Sequence, residues 1–136
     1  MNTPILWIEI PVADIHRAVK FYEHVFKTQL ELTILFETKM ALFKKEVFGM
    51  KGALIQIENY NGSNGIKPIV FVNVMLDAIE NVTNFGGKVI KDPTLLRQKN
   101  KNGDIIIGRN LIDGQIGYYA EILDSEGNHL YLYSHS

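Results

Sequence analysis

The stretch Trp7–Phe26, WIEIPVADIHRAVKFYEHVF, decides the first part of the fold. In Ile5–Val12, aliphatic side chains alternate with a mixed set, which is typical of a strand whose two faces meet different environments. Asp14 follows and offers a side-chain oxygen as a helix N-cap. After it, apolar residues recur at helical spacing, which predicts an amphipathic helix that ends near Lys27.

Short apolar runs continue the first half of the chain. They predict three strands, Leu30–Phe36, Met40–Phe43 and Ala53–Glu58. The segment 59–65, NYNGSNG, is rich in residues that tolerate a positive φ and is predicted to be a loop.

The same order of elements then restarts. A strand at Pro68–Val74 precedes a helix at Leu76–Phe85, and Gly86-Gly87 supplies the helix stop. Three further strands are predicted at Lys88–Ile90, Tyr118–Leu123 and His129–Tyr133, the last two joined by the hairpin loop 124–128. We therefore predict one α+β domain, 1–136, built from two βαβββ modules (1–60 and 66–136) with 59–65 as the seam loop.

The stretch Thr94–Gly117 is longer than a strand and its turns require. It contains a turn at Asn102-Gly103 and four basic residues, Arg97, Lys99, Lys101 and Arg109. We predict an elongated hairpin here. Its charged side chains would suit a lid over a ligand. Because charged loops usually lie in solvent, we interpret this stretch as a solvent-exposed loop.

Composition narrows the class of protein. The 136 residues carry 14 Lys+Arg and 15 Asp+Glu, and they include no cysteine. The charge balance argues against a nucleic-acid partner, and the absence of cysteine excludes disulfides, thiolate metal sites and cysteine nucleophiles. No apolar run approaches the ~18 residues of a membrane span, and no signal peptide is visible, so we expect a cytoplasmic protein without a membrane partner.

Three segments together resemble a known family. They are Trp7–Phe26, Phe71–Ile90 and the C-terminal Ile116–Ser136 with its DSEGN hairpin. In this order they resemble the vicinal oxygen chelate superfamily, which includes glyoxalases, bleomycin-resistance proteins and extradiol dioxygenases. The nearest likeness is to the branch of predicted enzymes related to lactoylglutathione lyase. The resemblance implies paired βαβββ modules that form a cupped mixed sheet with helices outside, and a homodimer.

Metal-dependent members of this superfamily hold a divalent ion with His, Glu or Gln on the first and last strand of each module. Carried onto this chain, those four positions fall on Trp7, Gln56, Pro68 (or Lys67) and Tyr131. Only the glutamine is an ordinary ligand, because divalent ions prefer several oxygen ligands, imidazole or carboxylate. We therefore predict that the family's metal site is lost and that the protein has no cofactor.

A displaced metal site is an alternative. Glu9, Gln56, Glu58 and His129 lie at or two residues from those positions and would form a Glu, Gln, Glu and His set if they converged. Strand neighbours on one face are about 7 Å apart and need not converge, so we do not favour it. In that alternative a divalent metal would serve a lyase, isomerase or dioxygenase, with Glu9 or Glu58 as the candidate catalytic residue.

The inner face of the cupped sheet is the predicted ligand site. The expected ligand-binding residues are Trp7, Glu9, Gln56, Glu58, His129, Tyr131 and Tyr133. Aromatic side chains with a few polar groups suit a small organic molecule, most naturally an aromatic one. The competing interpretation is that these aromatics fill the space between the modules and that the chain is a structural dimeric domain. Whether the protein is an enzyme stays open at this point.

Overall fold

The computed structural model describes residues 7–35, 38–44, 51–62, 65–99, 101–106, 108–110 and 112–136. In these segments the elements of the first half are β1 (Ile8–Val12), α1 (Ile15–Phe26), β2 (Leu30–Leu35), β3 (Thr38–Phe43) and β4 (Gly52–Gln56). Those of the second half are β5 (Ile69–Phe71), α2 (Met75–Asn84), β6 (Lys88–Leu95), β7 (Gln98–Lys99), β8 (Ile105–Ile106), β9 (Tyr118–Leu123) and β10 (His129–Ser134).

Each half forms its own four-stranded mixed sheet. The first has the strand order β1-β4-β3-β2 and the second the order β5-β10-β9-β6. In both, the first and last strands of the module pair in parallel, β1 with β4 and β5 with β10. The remaining pairs are antiparallel. This repeated βαβββ topology confirms the predicted fold class.

Among the described residues, the second module departs from a simple repeat after α2. The strand β6 is longer than predicted and reaches Leu95, with register shifts against β9 on both sides of Lys91. Pro93 lies within it, which an edge strand tolerates because its outer N–H groups need no partner. The predicted hairpin follows as β7 and β8, and the described tip 101–106 is exposed, as the solvent-exposed interpretation expects.

Local sequence explains how α1 begins and how α2 ends. The Asp14 carboxylate accepts hydrogen bonds from the backbone N–H groups of His16 and Arg17, each at 3.1 Å, and so caps α1 as predicted. At the end of α2, Gly86 has a φ of +94°. This left-handed residue lets the Gly87 N–H donate to the Val82 carbonyl at 2.8 Å, which closes the helix.

One hydrophobic core unites the modules. It contains the apolar sides of α1 and α2, which contact each other, and one face of each sheet. Fully buried members include Phe21, Leu54, Ile122 and Leu132. Both helices, α1 and α2, therefore cover the same side of the two sheets, and neither covers the other side, which we call the open face.

The β9–β10 turn of the second module holds the start of α1 in the first. The Glu126 carboxylate accepts from the Ala13 and Asp14 N–H groups, both at 2.9 Å, and from Arg17 Nε at 2.7 Å. Burial alone would raise the pKa of Glu126, but these hydrogen bonds, with Arg17 first, outweigh it and lower the pKa.

A second contact between the modules, between Tyr22 and Asp124, is buried. The Tyr22 hydroxyl of α1 donates to Asp124 at 2.7 Å, and Asp124 also accepts from the Asn128 N–H at 2.8 Å. Burial raises the pKa of Asp124 and raises that of the fully buried Tyr22 well above its usual value. The DSEGN loop thus joins the two modules as well as the two strands it connects.

No helix among the described residues is long and apolar enough to cross a bilayer.

Candidate functional site

Strand register assigns side chains to the open face. Tyr131 of β10 lies opposite Glu121 of β9 and beside Ile69 of β5, and every second residue shares its side. On the second sheet the open face carries Ile69, Phe71, Lys91, Tyr119, Glu121, His129, Tyr131 and Tyr133. On the first sheet it carries Glu9, Pro11, Ala53 and Ile55, with Trp7 just before β1.

Two tyrosines form the aromatic centre of the second sheet. The ring centroids of Tyr119 and Tyr131 are 6.4 Å apart. The Lys91 ammonium lies 5.2 Å from the first ring and that of Lys67 lies 6.0 Å from the second. A hydrogen bond with Tyr119 raises the pKa of Lys91. This part of the open face therefore offers stacking surface bordered by two cations.

Tyr133 is on the same side but lies deeper. It is 2% exposed, and its hydroxyl accepts from Asn110 Nδ2 at 2.8 Å and donates to Asp113 Oδ1 at 2.7 Å. Burial raises the pKa of Tyr133, and its hydrogen bond lowers that of Asp113. The other oxygen of Asp113 meets His135 Nε2 at 2.6 Å. Tyr133 thus holds Asn110 and Asp113 against the second sheet.

A cavity of about 260 Å³ lies where the two sheets meet. Its lining residues are Ile8, Glu9, Ile10, Pro11, Tyr22, Ile66, Pro68, Asn128, His129 and Leu130. Two of the predicted ligand-binding residues, Glu9 and His129, therefore line one cavity. Glu9 Oε2 accepts from Trp7 Nε1 at 3.1 Å, and His129 Nδ1 lies 3.3 Å from Glu121 Oε1.

The predicted place of Gln56 on the inner face is wrong. Gln56 pairs with Val12, which is fully buried against the helices, so it lies on the helix side of β4. Its Oε1 accepts from the Ile15 N–H at 3.0 Å, at the first residue of α1. The misplacement is one of register, because a shift of one residue along a strand reverses the face.

Glu58 follows β4 rather than belonging to it. It lies in an exposed turn, where the alternation of a strand no longer assigns a side. Its predicted contact with a ligand has no support from the strand register.

The residues present do not fit a metal ion at the positions that the family resemblance implies. Trp7 and Pro68 offer no ligand, Lys67 is a cation and Gln56 lies on the other face. Within the described segments, no group of three or more His, Asp or Glu side chains is placed to hold a metal. The displaced set of Glu9, Gln56, Glu58 and His129 is therefore not assembled by these residues.

Sequence reasoning missed Tyr119, Glu121 and Lys91. Tyr119 and Glu121 could have been predicted, since a hairpin loop at 124–128 pairs Leu123 with His129 and so brings Glu121 opposite Tyr131. Lys91 reaches the open face only through the register shifts of β6, which no local pattern indicates. The contacts of Asn110 and Asp113 with Tyr133 depend on how the inserted hairpin returns to the sheet.

Comparison with known proteins identifies the fold. No protein-family model matches the sequence, and no curated protein matches it. Among solved structures, a glyoxalase/bleomycin resistance protein from Albidiferax ferrireducens T118 is similar with a TM-score of 0.63 and 12% identity, over 97% of this chain and 99% of that one.

Two further structures are similar. The fosfomycin resistance protein FosX from Listeria monocytogenes has a TM-score of 0.62 and 12% identity, covering 100% of this chain and 96% of its own. A glyoxalase I mutant from Zea mays has a TM-score of 0.68 and 18% identity; 98% of this chain covers 47% of that one. The chain therefore has the glyoxalase/bleomycin-resistance fold, the fold of the superfamily that its sequence motifs resemble.

Proposed function

We propose that this protein binds a small organic molecule, aromatic in part, on the open face of its cupped sheet and without a metal ion. The observation that carries the proposal is the aromatic and apolar surface on the side of the sheets that the described helices α1 and α2 do not cover. Trp7 is 44% exposed, Ile69 50% and Phe71 52%. Exposed apolar surface of this kind, with a few polar groups and an adjacent cavity, is typical of ligand sites.

The polar groups of the open face would orient such a molecule. Glu9 and His129 flank the cavity, and Lys67 and Lys91 border the tyrosine pair. Stacking on an aromatic ring contributes area and about 0.5–1.5 kcal/mol beyond it. The site thus combines attractive surface with directional contacts.

The fold neighbours allow other functions, and the geometry favours them less. A metal-dependent lyase, isomerase or dioxygenase would need ligands that the described side chains do not assemble. A structural domain with a filled cup would bury Trp7 and Phe71, which are exposed here, as fully as Tyr133 is buried. The homodimer, the cytoplasmic location and the loss of the family's metal site stay predictions.

Intrinsic fluorescence tests ligand binding, because Trp7 is the single tryptophan of the chain. We expect members of a panel of aromatic metabolites and antibiotics to change this fluorescence saturably and to raise the melting temperature by mass action. Tyr119→Ala should weaken the binding. Its matched control is Tyr118→Ala, because Tyr118 is the neighbour in β9 whose side chain lies on the other face.

The proposal fails if no panel member changes either signal, or if the two tyrosine variants weaken binding equally. Metal analysis of the dialysed protein is the companion measurement. A divalent ion retained in stoichiometric amount would overturn the metal-free part of the proposal.

A further inference from the structure

The cavity between the sheets has few polar groups that are available to a ligand. Of its lining residues, Tyr22 donates its hydroxyl proton to Asp124 at 2.7 Å. Asn128 donates its amide protons to the Pro11 carbonyl at 2.8 Å and to Asp124 at 2.9 Å, and its amide oxygen accepts from Tyr60. The polar side chains that remain are Glu9 and His129.

Among the described residues that line the cavity, Glu9 is the one acidic side chain, and no basic residue other than His129 accompanies it. No lysine or arginine of the described residues lines the cavity. Ile66 and Pro68 line it. Lys67 between them directs its ammonium to the Tyr131 ring instead. His129 has a carboxylate, Glu121, at its Nδ1. Glu9 is exposed, and its bond to Trp7 uses one of its two carboxylate oxygens.

The rest of the lining is aliphatic. Ile8, Ile10 and Leu130 are partly or fully buried and belong to the core or pack against it. A volume of about 260 Å³ corresponds to that of roughly nine liquid waters, enough for one ring with a short substituent. The cavity therefore combines one carboxylate at its side with an apolar interior.

We propose that this cavity selects a small protonated amine with an apolar body, and that Glu9 binds its ammonium group. The inference rests on the proposed function, because the cavity adjoins the open face, and it names the class of ligand that would occupy the cavity. A hydrogen bond between an ammonium group and a carboxylate contributes more than one between neutral groups. A neutral molecule of the same shape would gain less from Glu9, and a carboxylate would be repelled by it.

Three probes of similar shape test this inference: benzylamine, benzyl alcohol and benzoate. Titrations followed by Trp7 fluorescence and by ligand-observed NMR should show benzylamine binding about threefold to fivefold more tightly than benzyl alcohol, because Glu9 is exposed and solvent screens the ion pair, and benzoate more weakly still. Glu9→Gln should remove most of the preference for benzylamine over benzyl alcohol.

Glu31→Gln is the matched control. Glu31 is an exposed glutamate of β2, away from the lining residues, and its loss changes the net charge by the same amount. We expect it to keep the preference for benzylamine. Glu9→Gln also changes the acceptor of the Trp7 Nε1 hydrogen bond and so affects the fluorescence directly. NMR line broadening of the probe therefore measures the affinity independently of the tryptophan.

The outcomes separate this inference from the function on which it rests. Equal affinity for all three probes, or a preference for the amine that survives Glu9→Gln, overturns the amine selectivity and leaves ligand binding intact. Failure of the three probes and of the aromatic panel overturns both.

Discussion

Replacing Glu126 with glutamine should destabilise the whole domain. The side chain of Glu126 is completely buried, and it receives two backbone N–H groups from the start of α1. It also receives Arg17 Nε at 2.7 Å and Nη2 at 2.9 Å. Glutamine keeps the shape but directs an amide N–H₂ group at one set of these donors.

The magnitude follows from the bonds lost. A hydrogen bond to a charged group contributes about 1.5–3 kcal/mol, and a buried donor left without an acceptor costs about 1–3 kcal/mol. The guanidinium is half exposed, which reduces its share through solvent screening. We expect the free energy of unfolding to fall by about 3 kcal/mol, and the melting temperature by roughly 10 °C for a chain of this size.

Urea denaturation and thermal melts of both proteins measure the difference. Glu80→Gln is the control, since Glu80 is an exposed residue of α2 and its change should stay within about 0.5 kcal/mol. A loss in Glu126→Gln no larger than in this control would refute the assignment of Glu126 as the contact that joins the modules.

The same variant has a pH signature. The folded pKa of Glu126 lies below the ordinary 4.5, so its stabilisation is complete above that pH and is lost as the pH falls through the folded pKa. The difference between wild type and Glu126→Gln should therefore be largest near neutrality and shrink in acid. A difference that grows as the pH falls would contradict the reasoning.

Four further substitutions test individual contacts of the fold. Gly87→Ala would place a Cβ 2.6 Å from the Leu123 carbonyl oxygen, and we expect urea denaturation to show a loss of about 3 kcal/mol in the free energy of unfolding. Gly103→Ala is the control: its Cβ would meet nothing within 4 Å, and only the φ of +84° makes it cost about 1 kcal/mol. Tyr22→Phe removes the donor to a buried carboxylate and should lower stability by about 1–2 kcal/mol, with the native circular dichroism spectrum retained. Asp14→Ala removes the cap of α1 and should cost about 1 kcal/mol of unfolding free energy.

The pattern of the chain was sufficient to predict most elements of the fold. Helix α1 begins at Ile15 as predicted, because Asp14 caps it and the apolar spacing is local. The strand β9 matches its predicted bounds because the DSEGN loop ends it. The largest error is β6, which continues beyond the predicted Ile90 to Leu95 through two register shifts. Bulges form between strands, so no window of a single strand indicates them.

The residues of the candidate site were also predicted correctly in part and misplaced in part. Alternation within one strand correctly assigned His129, Tyr131 and Tyr133 to one face, because side chains alternate with a period of two. The placement of Gln56 relied on the offset between two strands, and an error of one residue reversed its face.

By itself, the sequence determined two βαβββ modules, their caps and turns, and which residues share a face within each strand. All of these depend on interactions between residues a few positions apart. Only the tertiary structure decided that Glu9 and His129 line one cavity and that Glu126 caps a helix of the other module. Such contacts join residues more than a hundred positions apart, and their geometry depends on how the two sheets pack over one shared core.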